Sequence, residues 1–93
     1  MRIRSQRTRS FRRLFARLPS HVQAQIRESY QLFKHNPWHP ALNFERIHYC
    51  VRPSSPVYAT RIGRRYRAMG RLEGDTIQWF FVGSHEEYNR FVR

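Results

Sequence analysis

Carboxylates are scarce in this sequence: six Asp and Glu stand against eighteen Lys and Arg, a formal net charge of +12 over 93 residues. A small chain so unbalanced repels itself unless a polyanion or an acidic protein compensates it. The partner classes left are nucleic acid, an anionic membrane surface and an acidic protein. Lysine is scarcer still. Lys34 stands alone beside seventeen arginines, and the planar guanidinium grips phosphate bidentately where an ammonium cannot. Cysteine is limited to Cys50, which excludes an intrachain disulfide and a thiolate metal cage, so nothing asks for an oxidising compartment and a cytoplasmic location is expected. No apolar run approaches the roughly 20 residues of a membrane span. The N-terminal MRIRSQRTRSFRR lacks the apolar centre of a secretory signal. No glycine-rich phosphate loop is present, and Gly83-Ser84-His85 lacks the G-x-S-x-G context of a nucleophilic serine. His21, His35, His39 and His48 have no ligand spacing, so neither a metal nor a cofactor is expected.

What is present is enough for a thin core. Forty per cent of the residues are hydrophobic and 15% aromatic, which suits one domain spanning residues 1–93. Residues 2–6 read as a short strand. Phe11, Leu14, Phe15 and Leu18 follow helical spacing and predict an amphipathic helix from Arg9 to Leu18. After Pro19, Ser20-His21-Val22-Gln23 has the spacing of a capping box, and Val22, Ile26, Tyr30 and Phe33 predict a second helix that Asn36-Pro37 stops. So short a link makes the two helices an antiparallel hairpin with one apolar seam. NPWHPAL reads as an ordered loop in which Trp38 caps the helix pair.

Four strand-like segments follow, at about 44–51, 57–62, 66–72 and 76–82, joined by links that suit hairpins. The expected fold is α+β: the helix hairpin packed on a small, mainly antiparallel sheet of four to five strands, with a short C-terminal helix. IQWFFV is apolar on both faces and belongs inside the sheet. Ser84 and Glu87 have capping-box spacing, which predicts a helical turn or two that docks Tyr88 and Phe91 on the sheet.

Strand alternation sorts the cations. Tyr66, Ala68, Gly70 and Leu72 face one way, and Arg67, Met69 and Arg71 the other. If the helices cover the first face, Arg67 and Arg71 lie on the open one. Parity alone does not place Arg61, although it lies near Arg64, Arg65 and Arg67. His85 ends the predicted central strand beside the strand carrying Arg67. An imidazole next to fixed cations suits phosphodiester cleavage by an internal 2′-hydroxyl, which needs proton transfer and donors for the charge that builds on phosphorus.

LPSHVQ, NPWHPAL, RIGRRYRAMG and WFFVGSHEEY, in this order, resemble the RelE/ParE superfamily of bacterial type II toxins from about Thr8 to Phe91. The C-terminal histidine is more similar to the ribonuclease branch of RelE, HigB and YafQ than to the gyrase-poisoning ParE branch. The resemblance implies that Arg67 stabilises the scissile phosphate, that Arg61 helps hold the RNA backbone, and that His85 is the general base or acid. Arg64, Arg65, Arg71 and Tyr88 would then contact RNA. Tyr88 lies near the catalytic tyrosine of RelE but not at its spacing, so packing and catalysis both stay open. The implied function is a metal-independent mRNA endoribonuclease, acting in the ribosomal decoding site and neutralised by an acidic antitoxin. The alternatives are a ParE-like DNA gyrase poison that cleaves nothing and a toxin fold that binds only its antitoxin.

Overall fold

The structure, a computed structural model, describes residues 3–48 and 55–92. The chain runs β1 (Arg4–Arg7), α1 (Arg9–Ala16), α2 (Ser20–His35), a 3₁₀ turn (Pro40–Leu42), β2 (Glu45–Arg46), β3 (Val57–Ile62), β4 (Tyr66–Glu73), β5 (Thr76–Ser84) and α3 (His85–Asn89). The strands form one sheet in the order β1-β5-β4-β3-β2. β2 to β5 are an antiparallel meander, as expected, whereas β1 adds in parallel along β5, from Arg4 opposite Thr76 to Arg7 opposite Trp79. β5 therefore lies between two strands, inside the sheet as its apolar sequence predicts, and both of its faces are apolar because elements pack on each side. The part of the expected 44–51 strand beyond residue 48 lies outside the described residues.

A bulge in β5 reconciles its sequence with two buried faces. The β4–β5 register slips between Met69, opposite Phe81, and Gly70, opposite Trp79, leaving Phe80 as the extra residue. Trp79 and Phe81, two positions apart, thereby turn to opposite sides. On the first face Ile77, Trp79 and Val82 pack with Phe11 of α1, Val22, Ile26 and Phe33 of α2, and Leu42 and Phe44. On the second, Val57, Ala59, Met69 and Phe81 are buried beneath Tyr88, Phe91 and Val92.

The helices start differently from one another. Thr8 caps α1, its hydroxyl accepting from the Phe11 N–H at 3.3 Å and donating to the Trp79 carbonyl at 2.8 Å, so one side chain ties the helix start to β5. The capping box expected at Ser20 does not form. Pro19 is the cap residue, and its carbonyl accepts from Val22 and Gln23, which makes Ser20 the first helical residue with its side chain outside capping reach. Gln23 turns instead to the Phe15 carbonyl at 2.9 Å and stitches α2 to α1. The seam between the helices is not closed: a cavity of about 270 Å³ opens between Phe11 and Phe15 on one side and Ile26, Tyr30 and Phe33 on the other, with Trp79 in its lining. Trp38 does not cover the helix pair. It stands half-exposed against Phe44. No helix among the described residues is long and apolar enough to cross a membrane.

Candidate functional site

The second face is not open, contrary to the expectation from strand parity, because α3 folds back over it. The Ser84 hydroxyl accepts from the Glu87 N–H, while the Glu87 carboxylate accepts from the Ser84 N–H and hydroxyl, all at 3.1 Å, closing the predicted capping box. Gly83 makes this possible. A Cβ there would meet the Phe81 ring at 2.8 Å and the Glu87 carboxylate at 3.0 Å, so a side chain at this position would have to displace the Phe81 ring and the capping carboxylate. The His85 N–H then donates to the Arg65 carbonyl at 2.6 Å, fixing the first residue of α3 to the β3–β4 turn.

Register settles where Arg61 points. It lies directly opposite Arg67, which is in turn opposite Gly83, so both guanidinium groups are on the face that α3 borders. Like charges in facing positions repel. Arg67 is half-buried, and burial first and Arg61 second lower its pKa below the ordinary guanidinium value. Its Nη1 donates to the Tyr66 carbonyl at 2.8 Å, which restrains the fork. The two facing cations, with one partly desolvated, form a site whose charge an anion would balance.

The next row on the same face, roughly 7 Å along the strands, reads Glu45, Ala59, Met69, Phe81. Tyr88 descends from α3 onto this row. Burial chiefly, and then the Glu45 carboxylate, raise the Tyr88 pKa, while Arg67 opposes them. Tyr88 thus feels a carboxylate and a guanidinium together, and its phenol stays protonated at neutral pH. That suits a hydrogen-bond donor and disfavours a base. The exposed His85 ring stacks on Tyr88 with centroids 6.1 Å apart.

The structure thus gathers Arg61, Arg67, His85 and Tyr88. Arg64 and Arg65 are exposed at the adjoining turn, where Gly63 takes the left-handed conformation with φ 59°. Arg71 is on the same face but is not part of this group. Its guanidinium lies over the Phe80 ring at 4.5 Å, opposite Val57 and Gln78 and four residues along β4 from Arg67. Glu45 was missed by sequence reasoning. Of the six carboxylates it alone stands neither in a helix nor beside a turn, and that placement in a strand was the available signal. Among the described residues no group of His, Cys, Asp and Glu is arranged to hold a metal ion.

A model of the ParE-like toxin domain matches residues 20–90. The fold is similar to that of the toxin–antitoxin complex RelBE2 of Mycobacterium tuberculosis, with 18% identity, a TM-score of 0.66, and 91% of this chain and 100% of that one covered. It is similar also to the archaeal RelE–RelB complex of Pyrococcus horikoshii, at 14% identity and a TM-score of 0.67, covering 90% and 96%. A copper-bound mutant toxin from Helicobacter pylori aligns at 16% identity and a TM-score of 0.57, covering 91% and 97%. A comparison with curated protein sequences finds no match.

Proposed function

The chain belongs to the ParE-like toxin family, and we propose that it is the toxin of a toxin–antitoxin pair that cleaves mRNA by internal attack of a 2′-hydroxyl. The 93 residues act as a single toxin domain. The observation that carries this reading is the facing pair Arg61 and Arg67 beside a docked histidine, with a carboxylate whose charge Tyr88 feels. A protein that only held a target would leave the proton-transfer groups unused.

The chemistry divides among these side chains. The Glu45 carboxylate accepts the 2′-hydroxyl proton. The 2′-oxygen bonds to phosphorus, and Arg61 and Arg67 donate to the oxygens on which charge accumulates. The bond from phosphorus to the 5′-oxygen breaks, and His85 supplies that oxygen with a proton. The products are a 2′,3′-cyclic phosphate and a 5′-hydroxyl. Tyr88 donates a hydrogen bond and spaces the two proton-transfer groups. No metal enters this route, because guanidinium and imidazole groups provide both the charge and the proton.

The reading places the protein in the cytoplasm with mRNA, on the ribosome, and the gyrase-poison alternative becomes an outcome of the test. The antitoxin is an acidic protein, since a charge of +12 steers an opposite charge and is neutralised by it. Its segment crosses the helix hairpin, where Arg7 and Arg27 border the apolar cavity, and reaches the basic second face. The deciding experiment expresses the parent and His85→Gln without antitoxin and follows mRNA ends on translating ribosomes, growth and melting together. Cleavage falls about 10²-fold in His85→Gln, and melting is unchanged within about 1 kcal/mol. A variant that melts like the parent and still arrests growth fully, with gyrase–DNA complexes accumulating and no new RNA ends, would sink the nuclease reading.

A further inference from the structure

Trp38 is 51% exposed, and with Tyr30 it is one of two large hydrophobic side chains left open among the described residues. It is not a loose side chain. The loop that carries it is fixed: the Trp38 backbone N–H donates to the Asn36 side-chain carbonyl at 3.0 Å, the His39 N–H donates to the Asn36 carbonyl at 3.1 Å, and Pro37 between them is buried. The indole rests on Phe44 with centroids 5.1 Å apart, and Phe44 is itself stacked on Tyr58 at 4.9 Å and set edge-on to Phe33 at 5.1 Å. An exposed indole on so rigid a base loses little conformational freedom when something binds it. One cation shares its face: Arg46 is directly opposite Tyr58, on the aromatic side of the sheet, whereas the ammonium of Lys34, in the last turn of α2, lies over the Tyr30 ring at 5.7 Å. Trp38 is absent from the lining of the α1–α2 cavity, so it is separate from the groove where an apolar side chain could be received.

A protruding aromatic ring with a cation on the same face matches a nucleotide, which offers a flat base and a phosphate together. We propose that Trp38, backed by Phe44 and with Arg46 on the same face, is a stacking platform for an unpaired base of single-stranded RNA. For its ligand class this rests on the nuclease reading. The platform lies on the opposite face of the sheet from Arg61 and Arg67, and β2 joins the two. β2 is one of the two edge strands of the described sheet, and its consecutive residues Glu45 and Arg46 point to the catalytic and aromatic faces respectively. An RNA strand held at Trp38 therefore reaches the cleavage site by turning around one sheet edge.

The test uses the full chain and a short single-stranded RNA carrying 2′-O-methyl groups, which binds but cannot be cut by internal attack. Affinity and tryptophan emission are measured together, with buried Trp79 reporting the fold of each variant. Stacking quenches the parent's emission. Trp38→Ala weakens binding about tenfold and abolishes most of the quenching, while Trp38→Phe retains most of the affinity. Arg46→Gln lowers the salt dependence of binding, and Trp38→Ala leaves it unchanged. The platform is overturned if Trp38→Ala binds the RNA as the parent does. It is overturned in favour of a protein anchor if that variant keeps RNA binding and loses affinity for the antitoxin. A parent that shows Trp38-dependent binding but cuts no mRNA upholds the platform and removes the nuclease reading alone.

Discussion

On the first face of the sheet Phe33, Phe44 and Trp79 interlock edge to face, with centroids 5.1 to 6.3 Å apart, and the neighbouring buried side chains are apolar except Thr60, which donates to the Leu42 carbonyl. On the second, the same strands present Arg61, Arg67 and Glu45 around a small patch that a five-residue helix covers. Alternation along each strand separates the two functions at no greater distance than the thickness of one sheet. The first face holds the fold, and the second tolerates repulsion because the first supplies the stability. A basic cluster buried by two long helices would have to desolvate its charges completely. A short capped helix leaves them half in water.

The comparison breaks most visibly at its stabilising side. Phe33→Ala removes a side chain that is 3% exposed and touches both Phe44 and Trp79, and should cost about 3–5 kcal/mol in denaturant unfolding. On the other face Arg67→Lys should lower cleavage about 10²–10³-fold, nearly as much as Arg67→Ala, because an ammonium cannot reproduce the restrained two-pronged contact. RNA affinity and the unfolding midpoint should change little. Equal losses of binding and turnover would show that Arg67 only attracts RNA.

Smaller effects sharpen the boundary. Ser84→Ala deletes one half of the capping box and should cost about 1 kcal/mol, but with a fall in cleavage out of proportion to that cost, since His85 is the next residue. Rescue of cleavage by Ser84→Thr or Ser84→Asp, each able to cap, would distinguish orientation of His85 from a direct role of the hydroxyl. The smallest effect is alkaline. Burial raises the Tyr88 pKa in the fold, so as pH climbs above the ordinary phenol value of about 10 the unfolded chain ionises first. The stabilisation is full below that value and is lost as pH passes through the folded one. Tyr88→Phe should flatten this decline in a pH series of thermal melts.

Much of this organisation was legible in the residues. The 3.6 period of Phe11, Leu14 and Phe15, the doubly apolar IQWFFV and the Ser84–Glu87 spacing each agree with local physics, and each formed. S-x-x-Q after Pro19 failed because its spacing fits a serine at the cap and a serine one residue inside equally well. The choice fell to Pro19, whose extended ψ of 152° already supplies the cap geometry. Parity could not place Arg61, because alternation fixes relative and not absolute facing; the Gly63 turn fixes it by setting Arg61 opposite Arg67. The bulge at Phe80 and the covering of the second face depend on contacts distant in sequence. Glu45 escaped for the same reason: its neighbours in the site come from β3, β4 and α3.

The parallel pairing of β1 with β5 has a temporal meaning. The strand nearest the start of the chain finds its only described partner in residues 76–79, and the histidine, tyrosine and capping box lie later still. During synthesis the helices and β1 wait without a central strand, and Arg67 waits without α3 behind it. The basic second face therefore cannot assemble until β5 and α3 have emerged. Nascent chains arrested before Thr76 should accordingly be digested readily by protease, and those that have released Tyr88 should resist.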